Sequence, residues 1–393
     1  MVESSTIVIP IQFEKENRWK KFQKEVFSCL RMRDVNDSLV WKKMVYSYNT
    51  DETKFVLDKH VFADSETDTE ESQKKNENVS NNGNEMVSEE NYFYDEAFRT
   101  FYDDTFEASC FFVLCDNKEK KSQKVLLTDR NIKVLFGSEW RIVRKIYFLV
   151  TNAHIGLLIV EFDSKEEEEL CEIETIVDLQ CKVQVSDENN NYDLLKWLLG
   201  ENWSDVKYVL PFKEKKFLAV YQIDNSIKAK DNKSMELDLE QVYLNNYLIR
   251  GIGKEEHLIS FFGHYFQIFW LCILQKVEIL RISQMSGKIS RRNWMFRMRN
   301  AIKKINREYV LFYNQYDLIE CTYDIKGMKL YRDIRKTMYI DEEHDAVQEQ
   351  LRALHDYSVL VTSERLNFWL TLLSIVCSIV TILTFIREIQ SIQ

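Results

Sequence analysis

Between Arg281 and Arg307 the chain places nine basic residues and no acid: Arg281, Lys288, Arg291, Arg292, Arg297, Arg299, Lys303, Lys304 and Arg307. In a chain of formal net charge −10, such a run is a candidate docking surface for phosphate, on a nucleotide, a lipid headgroup or a nucleic acid. Lysine and arginine supply charge without reading bases, so the run leaves that choice open. A nucleic acid is not among the expected partners. Arg291, Arg292, Arg297, Arg299, Lys303, Lys304 and Arg307 are the candidate anion-binding residues. Trp294 and Phe296, interleaved with them, could stack on a base or equally belong to a core. The alternative is a solvated helix face opposing acids elsewhere, such as Asp341, Glu342 and Glu343.

Other reactive residue types form no recognisable site. His257 and His264 lie seven apart on one helical face, but a metal would need carboxylates or further histidines nearby in space. Asp341-Glu342-Glu343-His344-Asp345 could attract a cation, yet acids are expected at a helix start because of the dipole. The eight cysteines (Cys29, Cys110, Cys115, Cys171, Cys181, Cys272, Cys321 and Cys377) show neither metal-type pairs nor a disulfide framework. There is no GxSxG, Walker loop, HExxH or GxGxxG. No enzyme, no metal site and no identifiable cofactor is expected.

The remaining polar pattern lies in an apolar setting. From Leu366 to Ile386 no residue is charged, and a helix of that length measures about 32 Å, the thickness of a bilayer core. Arg365 and Arg387 bracket it, and Trp369 stands near one end, where an indole suits the interface. Asn367, Thr371, Ser374, Ser378 and Thr381 are spaced four, three, four and three apart, which confines them to an arc of about 80°. Thr384 drifts off that stripe. The five are candidate pore-lining residues if several copies of the helix assemble. They also suit close helix packing, with hydroxyls bonded back to their own carbonyls.

These residues need elements to position them. Glycine (9) and proline (2) are scarce, which favours long uninterrupted elements. Ala63–Glu90 holds nine acids against Lys74 and Lys75 and few apolar residues, so 63–90 reads as a disordered acidic loop carrying most of the net charge. Residues 1–250 read as a mixed α/β cytosolic domain. Thr6–Phe13, Ala108–Leu114, Lys145–Thr151 and Ile155–Phe162 are strand-like, with Pro10 suggesting an edge or a bulge. Tyr208–Phe212 and Lys216–Ile223 suggest a hairpin. Phe22–Met32, Glu166–Val177 and Tyr192–Leu199 look helical.

After about Glu236 the pattern is helical throughout. Leu258, Phe261, Tyr265, Ile268, Cys272, Ile279 and Ile282 follow a heptad seam, with Gln275 at the intervening position. Met298, Ile302, Ile305, Tyr309, Phe312, Tyr316 and Ile319 follow another, and Val347, Leu351, Leu354 and Val361 begin a third. The expected organisation is a helical bundle over 251–340, a stalk helix over 341–365, a transmembrane helix over 366–386 and a short tail over 387–393. Leu258–Leu274 is also uncharged, but His264, Gln267 and the seam make it a buried bundle helix. The fold class is thus an α+β cytosolic domain, a long-helix bundle or stalk, and a single C-terminal transmembrane helix. The bulk of the chain would be cytosolic, with one pass through the inner (cytoplasmic) membrane and the lipid bilayer as a partner.

That order resembles the CorA family of metal-ion channels, most closely from Leu258 to Ile386. Ser363-Glu364-Arg365-Leu366-Asn367 is similar to the family's stalk-to-membrane junction. The resemblance implies a homopentamer whose last stalk helix lines a pore. The family's Gly-Met-Asn motif and second span do not follow Ile386, so magnesium selectivity is not expected. Divergent CorA-like proteins also act as membrane effectors of bacterial antiviral systems, including type III CRISPR loci. By resemblance, a nucleotide messenger is then the expected ligand of the cytosolic part. The other reading of the sequence is a tail-anchored scaffold or sensor that conducts nothing.

Overall fold

Uninterrupted runs such as Ile146-Tyr147-Phe148-Leu149-Val150 and Leu157-Leu158-Ile159-Val160 leave no polar face, so they suit strands covered on both sides. In the computed structural model, the residues described are 2–13, 39–46, 60–62, 109–116, 127, 132–136, 139–151, 155–163, 184–187, 190–199, 206–208, 217–223, 241–253, 261–290 and 295–392. Their strands are β1 (Val2–Phe13), β2 (Leu39–Tyr46), β3 (His60–Phe62), β4 (Ser109–Asp116), β5 (Lys133–Phe136), β6 (Glu139–Thr151), β7 (Ile155–Asp163), β8 (Gln184–Asp187), β9 (Asn190–Asp193), β10 (Val206–Tyr208), β11 (Phe217–Ile223), β12 (Gln241–Leu244) and β13 (Leu248–Gly253). The helices are α1 (Leu194–Leu199), α2 (Phe266–Ser290, preceded by a π-helical turn over Phe261–Tyr265), α3 (Met295–Gln315), α4 (Ile325–Thr337) and α5 (Ile340–Ile392).

The chain forms two compact units: Met1–Glu278 with Leu311–Asp341, and Ile279–Val310 with Glu342–Gln393. The first is a mixed α+β unit whose sheet runs in the order β12-β13-β11-β1-β7-β6-β4-β2-β3. Its main ladder is antiparallel, except that β11 pairs β13 in parallel. Alternate residues face opposite ways. Ile7, Ile9, Ile11, Phe148, Val150, Leu158, Val160 and Val220 join Leu194, Trp197 and Leu198 of α1 in one core. The opposite face meets the start of the helical part through Phe217 on Phe269 (centroids 6.4 Å apart) and Tyr221 on Phe261 (5.2 Å). Gly251 permits this approach, because a Cβ there would come within 2.6 Å of the Phe261 ring.

Several expectations change. Pro10 is not on an edge strand: β1 is an interior strand, and Pro10 pairs with Leu157 of β7 in a register that runs unbroken from Ser4 to Gln12. On its other side the described pairing passes from Val8↔Phe217 of β11 to Ile11↔Tyr208 of β10, so the proline falls between two partners. Those same registers overturn the hairpin over 208–223. β10 and β11 both run antiparallel to β1 along one side of it, end to end, and so share a direction. Strands also continue beyond Glu236: β12 and β13 form a hairpin in which Tyr247 N–H donates to Asn245 Oδ1 (2.8 Å). Tyr192 belongs to β9, and α1 begins at Leu194. The expected helices over 22–32 and 166–177, the acidic loop over 63–90, Leu258 and His257 lie outside the described residues.

α2 starts as a core helix. Phe266 to Gln275 are all buried, whereas a seam would bury only one stripe, so Phe266–Gln275 is a buried helical stretch of the first unit, with Phe261, Phe262 and Tyr265 buried ahead of it. The second unit holds the end of α2, most of α3 and nearly all of α5. Ile279, Ile282, Ile289, Ile302, Ile305, Val347 and Leu351 are buried, as period 3.5 requires. The seam ends sooner than its spacing suggests: α3 stops at Gln315, and Ile319 is 87% exposed. α5 runs for 53 residues, about 80 Å.

Candidate functional site

The burial of α5 fades along its length. Leu351 is buried, Leu354 and Val361 are half-buried, and every described side chain from Thr362 to Thr384 is exposed. This part of the helix is long and apolar enough to cross a membrane. Asn367, Thr371, Ser374, Ser378 and Thr381 all lie on it and are exposed.

Their hydrogen bonds divide them. Thr371 Oγ1 donates to the Asn367 carbonyl (2.8 Å), Ser378 Oγ to the Ser374 carbonyl (2.8 Å) and Thr381 Oγ1 to the Cys377 carbonyl (2.9 Å). Thr384, off the stripe, donates to the Thr381 carbonyl. These hydroxyls satisfy themselves on their own helix. Among the described residues, no such bond is made by the Asn367 amide or the Ser374 hydroxyl, one heptad apart. In hydrocarbon an unpaired amide costs several kcal/mol, roughly 2–7. A stripe of equivalent-looking polar residues thus contains two with unmet demands and three without.

The cationic run is also heterogeneous. Arg281 is buried, paired with Glu308 at 2.5 Å and directed at Met285 Sδ (3.1 Å), so it is a packing residue. Lys288, Lys303, Lys304 and Arg307 are exposed. Arg297 and Arg299 lie near the start of α3, their side chains outside the described residues, as are the side chains of Phe296 and His264. Arg291, Arg292 and Trp294 lie wholly outside them. The expected opposing acid Asp341 is engaged by Arg335 instead. His344 shares a 2.9 Å hydrogen bond with Tyr309, their rings stacked. Among the described residues no His, Cys, Asp and Glu group could hold a metal.

A polar cluster that sequence reasoning missed sits at the foot of α5. Arg335 of α4 donates to Asp317 Oδ1 (3.1 Å), Asp341 Oδ1 (2.5 Å), Gln275 Oε1 (3.1 Å) and Tyr331 OH (3.0 Å). Gln275 Nε2 in turn donates to the Tyr316 carbonyl (2.6 Å) and to Tyr331 OH (2.8 Å), and Tyr331 OH donates to the Leu318 carbonyl (2.5 Å). Burial disfavours the Arg335 charge, but Tyr331, Asp341 and Asp317 outweigh it and hold the proton on. Burial also pushes the Tyr331 hydroxyl upward, and moves the neighbouring Cys321 thiol from 9.0 to about 12. Cys272 is raised by burial first, then by Cys321. Neutral thiols of this kind are poor nucleophiles. The only sequence signal was Gln275 interrupting an apolar seam. The cluster fastens α2, α4 and the first turn of α5 within the first unit.

No protein-family model matches the chain, and no curated protein or solved structure does.

Proposed function

We propose that the chain is a homo-oligomeric membrane protein of CorA-like architecture. Its α5 helices would line a pore gated by a ligand on the cytosolic part. The observation that carries this reading is the exposed, uncharged end of α5 with Asn367 and Ser374 unpaired on one stripe. Burying that surface in lipid satisfies the apolar side chains and leaves the two polar ones without partners. Assembly around an axis gives them water or the same residues of neighbouring copies. A pentamer in the inner membrane, with most of the chain cytosolic, follows the family resemblance. A nucleotide messenger in antiviral defence is the ligand class it favours.

The back-bonded hydroxyls of Thr371, Ser378 and Thr381 favour a second reading, a tail-anchored scaffold or sensor that conducts nothing. Ion flux from vesicles containing the reconstituted chain separates the two. In the pore reading, Ser374→Leu with Ser378→Leu abolishes flux while the oligomer persists. Unchanged flux removes those residues from any pore. Vesicles that stay tight with every nucleotide tried support the scaffold.

A further inference from the structure

The position of the cationic run narrows its chemistry. Ser286 Oγ of α2 donates to Gln350 Oε1 of α5 (2.9 Å), and Tyr309 of α3 meets His344 of α5. Arg281, five residues before Ser286, pairs with Glu308, the neighbour of Tyr309. Within the second unit α2 therefore rises along α5 from the level of His344 to that of Gln350, toward the uncharged span, and α3, antiparallel to α2, descends from it. The end of this pair nearest the span is where α2 stops at Ser290 and α3 begins at Met295. Counting helical rise from those contacts, Lys288 stands roughly 21 Å and Arg297 roughly 15 Å below Leu366. A headgroup layer about 5–7 Å deep lies outside the hydrocarbon. The remaining gap is comparable to a long basic side chain plus one Debye length of about 8 Å.

Charge at this end is not cancelled nearby in sequence. No acid occurs between Arg281 and Arg307, and Arg281, which packs against Glu308, lies at the far end of the run. On α5 between Gln350 and Leu366, Asp356 and Glu364 are balanced by Arg352 and Arg365. The α2–α3 end thus supplies the net charge of this level of the unit.

We propose that the end of the α2–α3 pair, with Lys288, Arg297 and Arg299, is an electrostatic docking surface for the anionic headgroups of the leaflet that α5 enters. The proposal rests on the membrane reading of α5 and is independent of whether a pore forms. Juxtamembrane basic clusters gain affinity for such a leaflet residue by residue, and lose it to salt. The same phosphate chemistry occurs on a free nucleotide, so the test includes both.

The full chain is reconstituted in vesicles of phosphatidylcholine, with or without phosphatidylglycerol. A donor dye on azidophenylalanine replacing Gly287, which is exposed in open space, reports energy transfer to acceptors on the headgroups. Transfer is expected to rise with phosphatidylglycerol. It should fall to the phosphatidylcholine level in high salt, and in the combined Lys288→Gln, Arg297→Gln, Arg299→Gln variant. Equal transfer in both vesicles, with the chain floating in both, overturns the docking surface alone. A chain that floats with neither overturns the membrane reading and this inference with it. Lipid-independent binding of a fluorescent ATP analogue, abolished in the same variant, gives the run to a free nucleotide and also overturns it.

Discussion

Arg335 Nη2 and Asp341 Oδ1 lie 2.5 Å apart across the turn that leads from α4 into α5. That turn contains Tyr339 at φ 56°, a left-handed conformation costing a side-chain-bearing residue roughly 1–2 kcal/mol. The ion pair spans this turn and ties Asp341, in the first turn of α5, to α4 within the first unit. Its partners are unequal: the Arg335 side chain is 12% exposed, Asp317 10% and Asp341 60%.

Removing the buried partner is therefore expected to hurt more. Arg335→Ala leaves Asp317, Gln275 and Tyr331 without their shared donor and should cost about 3–5 kcal/mol. Asp341→Asn keeps the shape and loses a largely solvated charge, at about 0–1 kcal/mol. Thermal unfolding of the full chain in detergent measures both. Equal losses would move the weight of the clasp from the buried core of the cluster to the exposed pair.

The buried thiols set an alkaline limit. Below 9.0 folded and unfolded chains both keep the Cys321 proton, while between 9.0 and about 12 only the folded chain does. Fewer protons on the unfolded chain mean that stability falls as pH rises through that window. Cys272 acts in the same direction. The unfolding midpoint should drop across the window, and less steeply in Cys321→Ala. Parallel slopes for the two proteins would refute this assignment.

Gly251 makes a packing prediction. Gly251→Ala forces the Phe261 ring away from β13 and should cost about 1–3 kcal/mol by overpacking. Unfolding midpoints of the variant and the parent give the comparison; an unchanged midpoint would mean that the ring moves freely.

Elements written in consecutive residues were legible in advance, and those written in distant pairings were not. The β6–β7 hairpin announces itself in two unbroken apolar runs. The heptad positions Ile302, Ile305 and Phe312 are buried as their spacing requires. The same arithmetic carried the seam to Ile319, because periodicity has no term for where a helix stops. β10 and β11 read as a hairpin because their real partner, β1, is nearly two hundred residues away. β12 and β13 were visible in principle, since Asn245-Asn246 is turn chemistry, but long apolar helices on one side masked it. The Arg335 cluster needed the tertiary fold. On α5 the stripe was legible, but the division between self-bonded and unpaired members was not. Spacing fixes an arc, whereas side-chain rotamers decide which hydroxyl turns back.

That division yields the most discriminating test. Asn367 has an amide with no partner on its own helix, whereas Thr371 has a hydroxyl already satisfied by the Asn367 carbonyl. If copies of α5 associate in a membrane, the amide gains an interhelical bond worth about 1–2 kcal/mol per contact, and the threonine gains little. Asn367→Leu should therefore shift the oligomer toward monomer by roughly tenfold or more, since 1.4 kcal/mol is about one decade. Thr371→Val should shift it by much less, although both changes remove polarity from the same stripe. Single-molecule photobleaching in bilayers, or crosslinking across a protein-to-lipid dilution series, reads the populations directly. Equal effects would show that general hydrophobicity governs assembly. No effect from either would place Asn367 in lipid or at the interface, and the self-association argument would fail at its strongest residue.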